Sequence, residues 1–227
     1  MRITLKNVST IIALCVVISC GSKPPNVPAA DARAKAASKY AHLLSLYKMV
    51  RFDTLHVFSV GLPDSVGYPF TGTVIDSAGL ALLPKQVKGS VKGIDTLYAC
   101  VAFTITDGRL GLVTRVPAEY NSNAVALLIL DTAKDEITDF FELSHAWGDA
   151  GDFIGKDSWI VNQSINCKVF TWYQQGHDND ADDEKDTSVA TINKYFLLGL
   201  NDEKHDTLAN NTADVARIVK QLVGNNH

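Results

Sequence analysis

The chain has little of several things that would narrow its class at once. Its 227 residues hold four cysteines, and Cys15 and Cys20 fall within the first twenty positions. Cys100 and Cys167 alone remain further along, too few for a disulfide-stapled scaffold or a cysteine-rich zinc module. The six histidines, at 42, 56, 145, 177, 205 and 227, form no His-x-x-x-His pair and no Cys/His cluster, so no zinc site is expected. No Gly-x-Ser-x-Gly elbow supports a serine hydrolase of that type, and no Gly-x-Gly-x-x-Gly follows a strand-like run. Basic residues are not in excess, with 21 Lys and Arg against 25 Asp and Glu. No basic stripe with interleaved aromatics is present, so nucleic acid is not an expected partner. The only apolar run near the start, 11–18, is shorter than the roughly 20 residues that cross a bilayer as a helix. No run of that length follows it.

That run is nevertheless informative. Arg2 and Lys6 precede it, and Val17-Ile18-Ser19-Cys20-Gly21-Ser22 follows. A short positive region, an apolar core and a small residue before cysteine resemble the signal peptide and lipobox of bacterial lipoproteins. The resemblance covers about the first 23 residues. It implies that residues 1–19 are removed and that Cys20 becomes the lipidated first residue, its acyl chains anchoring the protein in a bilayer. An ordinary secretory signal cut elsewhere is the plain alternative. Residues 20–28, with Pro24, Pro25 and Pro28, read as an extended tether. Residue 22 is Ser and not Asp, which in the enterobacterial sorting pattern implies the outer membrane of a diderm envelope. Loss of Arg2 and Lys6 takes the net charge from −4 to −6 over the remaining 208 residues, enough for one domain at 29–227.

The rest of the chain reads as mainly β. Residues 29–51 lack Gly and Pro, and Ala36, Tyr40, Leu43, Leu44, Tyr47 and Val50 share one helical face, predicting an N-terminal helix. Strand-like runs follow at 55–60, 70–76, 78–84, 95–106, 109–116, 124–131, 137–143, 158–162, 166–173 and 188–199, the last in two parts around Asn193. Asp107-Gly108 is the strongest hairpin signal. The connections are too short for parallel crossovers, so an antiparallel β-meander is expected: a sandwich, a barrel or a propeller-like sheet. Asn211 or Thr212 caps a C-terminal helix near 213–222, and both terminal helices pack on the sheet.

Two stretches are candidates for chemistry. Residues 142–159 are expected to form a loop between strands, carrying His145, Trp147, Asp149, Asp152 and Trp159 among three glycines. Trp faces and carboxylates in a pliant loop suit recognition of a glycan or an envelope protein. A glycine-rich loop pinned to the core by its Trp residues is the structural alternative. Glu142 and Asp149 are the pair that an alternative polysaccharide hydrolase would use. In the second stretch, Asp178, Asp180 and Asp182 alternate as in the first half of a calcium loop. Asp183 and Val189 stand where that loop needs Gly and Glu, so weak Ca²⁺ binding is the most it offers, no other cofactor is implied, and a solvated acidic loop is the alternative. Cys100 and Cys167 are either a disulfide or two buried thiols.

A short motif, Asp-Ser/Thr followed by an aliphatic residue or Ala, recurs at Asp53, Asp64, Asp76, Asp95, Asp131 and Asp206. It is similar to the O-glycosylation acceptor of Bacteroidetes exported proteins. With the lipobox, it makes the chain resemble the Bacteroidetes lipoproteins. That resemblance implies an envelope placement and leaves binding, scaffolding and purely structural roles open.

Overall fold

The computed structural model describes residues 38–61, 67–88, 96–118, 123–163, 166–179, 188–201 and 207–224. The expected signal peptide, Cys20 and the tether lie outside them. In chain order the elements are α1 (Ala41–Ser45), β1 (Lys48–Met49), β2 (Thr54–Val57), β3 (Thr73–Val74), α2 (Ser77–Leu82) and a 3₁₀ turn (Lys85–Lys88). Then come β4 (Tyr98–Thr106), β5 (Arg109–Val116), β6 (Ala124–Asp131), β7 (Glu136–Asp149), β8 (Asp152–Gln163) and β9 (Asn166–Asp178). The chain closes with β10 (Val189–Gly199), β11 (Thr207–Asn210) and α3 (Ala213–Gly224). The protein is mainly β, as its alternation predicts.

The strands form one eleven-stranded sheet in the order β1-β4-β5-β6-β7-β8-β9-β10-β11, with β3 on β4 and β2 on β8. Every pairing is antiparallel except β1 with β4, which is parallel. The sheet turns over on itself at β7. Glu136 to Ser144 pair with β6, whereas His145 to Asp149 pair with β8. Side-chain alternation shows the result. Val125, Leu127 and Ile129 of β6 share one buried cluster with Ile160 of β8 and Cys167 and Val169 of β9. Their neighbours Ala126, Leu128 and Leu130 face the other way, against Tyr40, Leu43, Tyr47, Ile75, Leu83 and Val87. On the far side Trp159 and Phe170 lie under Val215 and Val219 of α3. The architecture is a two-sheet sandwich with helical cover on both outer faces, each layer set by period-2 alternation.

Several local readings change. The N-terminal helix is short: α1 spans five residues, and Lys48–Met49 continues as a strand beside β4. Its expected apolar positions Tyr40, Leu43 and Tyr47 are nevertheless buried, and the Tyr47 hydroxyl lies 2.7 Å from Thr114 Oγ1. The expected strand 78–84 is the helix α2. Asp76 accepts the Gly79 N–H at 2.9 Å, a side-chain cap that a short apolar run does not announce. Residues 142–159 are not a loop but two long strands joined at Ala150-Gly151, whose φ values of +49° and +88° suit a tight hairpin turn. β10 runs unbroken through Asn193.

Two glycines support a ring instead of bending the chain. Gly111 lies opposite Phe103, and Gly176 opposite Phe153, each under the ring of its cross-strand partner. A Cβ on Gly111 would lie 2.4 Å from Phe103 Cζ, and Phe103 is fully buried. Gly111→Ala is therefore expected to cost about 1–3 kcal/mol, the usual range for overpacking. The check is a lowered melting temperature with unchanged far-UV circular dichroism.

Candidate functional site

Register builds the site. On the face of β8, β9 and β10 that looks toward the other half of the sheet, three cross-strand rows follow one another. Ile160, Val169 and Leu198 form the innermost row, Ser158, Thr171 and Phe196 the next, and Lys156, Tyr173 and Lys194 the outermost. In the first row Ile160 is sealed between the sheets, while Val169 and Leu198 reach the inner end of the cleft. The other two run out past the point where β7 leaves β6. Phe140, Phe141, Glu142 and Leu143 of β7 stand beside them and close a cleft of about 440 Å³. That volume is within the range of small-ligand sites, roughly 300–1,000 Å³.

The cleft is polarised along its length. Val169, Leu198, Phe196, Phe141 and Leu143 make its inner part apolar. At the back, the Ser158 hydroxyl donates to the Leu143 carbonyl at 2.6 Å and lies 2.9 Å from Thr171 Oγ1. These polar atoms are thus satisfied and buried. The mouth carries charge. Lys156 Nζ donates to Glu142 Oε1 at 3.2 Å, and Lys194 Nζ lies 5.6 Å from the centre of the Tyr173 ring. Lys156 is thus paired with a carboxylate in the cleft wall, while Lys194 is exposed beyond Tyr173, outside the cleft lining. His145 Nδ1 adds a nitrogen 3.9 Å from the Glu142 carboxylate, and its Nε2 is buried with no partner among the described residues.

The residues singled out from the sequence do not converge. Trp159 is 1 % exposed and lies under α3, with the His56 ring stacked 4.6 Å away and parallel to within 2°. It anchors the core and presents no face to a ligand. Trp147 is half-buried opposite Ile154 on the outgoing hairpin. Asp149 and Asp152 pair across its tip, and Asp152 meets His177 Nδ1 at 2.8 Å. Glu142 and Asp149 are seven residues apart on one strand, roughly 20 Å along its axis. Glycoside hydrolysis needs two carboxyls about 5–10 Å apart, so this pair is not an acid and base for one bond.

Asp178 ends β9, with its N–H on the Gly151 carbonyl at 2.9 Å. Asp180 and Asp182 lie outside the described residues. Among the described residues no group of three His, Cys, Asp or Glu side chains is placed to hold a metal ion. Two of the recurring Asp-Ser/Thr motifs have plain structural work: Asp76 caps α2, and Asp131 Oδ1 accepts the N–H groups of Ala133 and Lys134. Sequence reasoning did not single out Lys156, Tyr173, Lys194, Phe196 or Leu198. Each sits in an ordinary alternating strand, and only cross-strand register brings them together.

No family model matches the chain, and neither the curated proteins nor the solved structures contain a match to it.

Cys100 and Cys167 are free thiols, both buried in the cluster between the two halves of the sheet. Burial pushes Cys100 up to about 11 and Cys167 up to about 12, so near neutral pH both are protonated and poor nucleophiles. Neither is expected to react with a water-soluble alkylating reagent in the native protein at mildly alkaline pH, and both should react on denaturation. Peptide mapping of the labelled protein reads the two positions separately. Rapid native labelling of either would mean that the inter-sheet core opens.

Proposed function

We propose that this chain is an envelope lipoprotein, held to the membrane through acyl chains on Cys20, whose folded part is a non-catalytic binding module. Its ligand is a small amphipathic anion, with an apolar body between the sheets and an anionic head at the mouth. The observation that carries this reading is the polarity of the cleft: an aromatic and aliphatic interior ending at Lys156 and Tyr173, with Lys194 just outside the lining as the cross-strand neighbour of Tyr173. Apolar burial supplies most of the affinity, and the ammonium groups set the orientation. A glycan fits less well, because the inner part offers few polar groups to a ring of hydroxyls and Trp147 and Trp159 do not share a surface. The lipobox resemblance and the Ser at 22 support an outer-membrane location. No helix among the described residues is long and apolar enough to cross a membrane.

Dodecanoate is a suitable first probe. Calorimetry with the wild-type chain should give saturable binding at one site, and Lys156→Gln should weaken it about two- to fivefold, the scale of a partly exposed charge contact, with a smaller loss for Lys194→Gln. Equal affinity for dodecanoate and dodecanol would remove the anionic head from the reading. Binding of neither would remove the cleft.

Anchoring is tested separately in the bacterium that makes the protein. Cys20→Ala should abolish incorporation of labelled palmitate and move the protein from the membrane to the soluble fraction. Retention of label would place the lipid elsewhere.

A further inference from the structure

β10 carries an unusual edge. Over Phe196 to Leu198 its outer side pairs with β11. From Val189 to Lys194, among the described residues, no strand pairs with that side, although β9 pairs with the inner side throughout. The direction of each backbone group follows from its fixed points. The Ser188 carbonyl accepts from Asn179, at the end of β9, at 3.1 Å, so the even-numbered residues turn toward β9. The Tyr195 carbonyl accepts from Asn211 N at 2.7 Å, and Tyr195 N donates to Asn211 Oδ1 at 2.8 Å, so the odd-numbered residues turn outward. Val189, Thr191 and Asn193 therefore present their N–H and C=O groups along an open edge. Natural edges are usually blunted by proline, bulges or charge. This stretch, Val-Ala-Thr-Ile-Asn, has no proline and no charge, its ladder with β9 has no bulge, and Val189 and Ile192 are 51 % and 59 % exposed.

We propose that this edge pairs with the same edge of a second copy, antiparallel about a two-fold axis through Thr191. The register follows from two conditions. A two-fold normal to the sheet keeps matching faces together, so the paired residues must have numbers of the same parity. Only a centre at Thr191 also uses all three outward residues of each copy, Thr191 against Thr191 and Val189 against Asn193. A centre at Ile192 sets Val189 opposite the partner's Tyr195, whose outward groups Asn211 already takes, and a centre at Ala190 sets Asn193 opposite position 187, outside β10. In the Thr191 register Ile192 lies opposite the partner's Ala190, which covers an exposed aliphatic with a small one. The nearest charge, Lys194, falls opposite the partner's Ser188, so no like charges meet near the axis. The contact is isologous and closes as a dimer, and does not propagate into a fibre.

Sedimentation of the full-length chain over a micromolar series should show a reversible dimer. Thr191→Pro removes an outward N–H that no group within the described residues of its own copy accepts, and should raise the dimer dissociation constant at least about tenfold with unchanged circular dichroism. Thr191→Cys gives a second reading that survives misfolding of the proline variant. Opposed residues in a hydrogen-bonded pair have Cα atoms about 5.5 Å apart, within disulfide range. Oxidation of the Thr191→Cys variant should therefore yield a peptide disulfide-linked to its own copy through position 191, while Ile192→Cys should give no self-linked peptide. A wild-type chain monomeric throughout the series would overturn the proposal. So would a dimer unaffected by Thr191→Pro, a dimer in which Thr191→Cys never links to itself, or open-ended oligomers in place of a closed pair.

Discussion

Everything in this fold depends on how β7 changes partners. A strand that leaves one ladder for another exposes backbone groups at the crossing, and unpaired buried carbonyls are costly. Here Leu143 sits at the crossing, and the Ser158 hydroxyl donates to its carbonyl while Thr171 holds the serine in place. The adjacent Ser144, fully buried, is hydrogen-bonded to Ser59 at 2.9 Å. Ser158 thus patches the backbone at the fork, and Ser144 has its own buried hydroxyl partner beside it. Because the fork is stable, β7 can lie in both halves at once, and the halves can face each other across a shared core. The cleft is the wedge left open where they part.

Much of the fold was legible because turns are local. Asp107-Gly108 and the polar tetrad after Asp131 mark hairpins in the chain itself, and the structure has them at those places, with positive φ at Gly108 and Asp135. The C-terminal helix shows its own buried stripe through Val215 and Val219. What was not legible needed partners distant in sequence. The glycines at 148, 151 and 155 look like loop residues until two long neighbours pair across them. The helix at Ser77 rests on one side-chain cap from Asp76, which also bonds His42 on α1. The site was hidden for the same reason: Lys156, Tyr173 and Lys194 are far apart in sequence, and nothing short of register aligns them. Trp159 drew attention as a binding aromatic because aromatic type says nothing about which face of a strand a residue occupies.

Charge is handled differently on the two sides of the sandwich. In the interior, Arg115 is 1 % exposed, with its guanidinium 3.7 Å from the centre of the Tyr98 ring and a hydrogen bond to the Thr71 carbonyl at 3.1 Å. Burying a charge demands such company. At the cleft Lys156 is half-buried and paired with Glu142, whereas Lys194 is exposed beside the Tyr173 ring and keeps full access to water.

The ladder between β2 and β8 has a consequence for how the chain is made. Thr54 pairs with Val161, more than a hundred residues later. Contacts of such separation form slowly, because a long loop must close before any interaction compensates for the lost entropy. Until β8 has been synthesised, β2 lacks the strand it pairs with, and the core around Val57 lacks Ile160, Cys167 and Val169. Chain elongation therefore sets the earliest moment at which the amino-terminal part can finish folding. A nascent chain paused before residue 161 would present Val57 and its neighbours to chaperones, while the β4–β5 hairpin, closed by a two-residue turn, would already be complete.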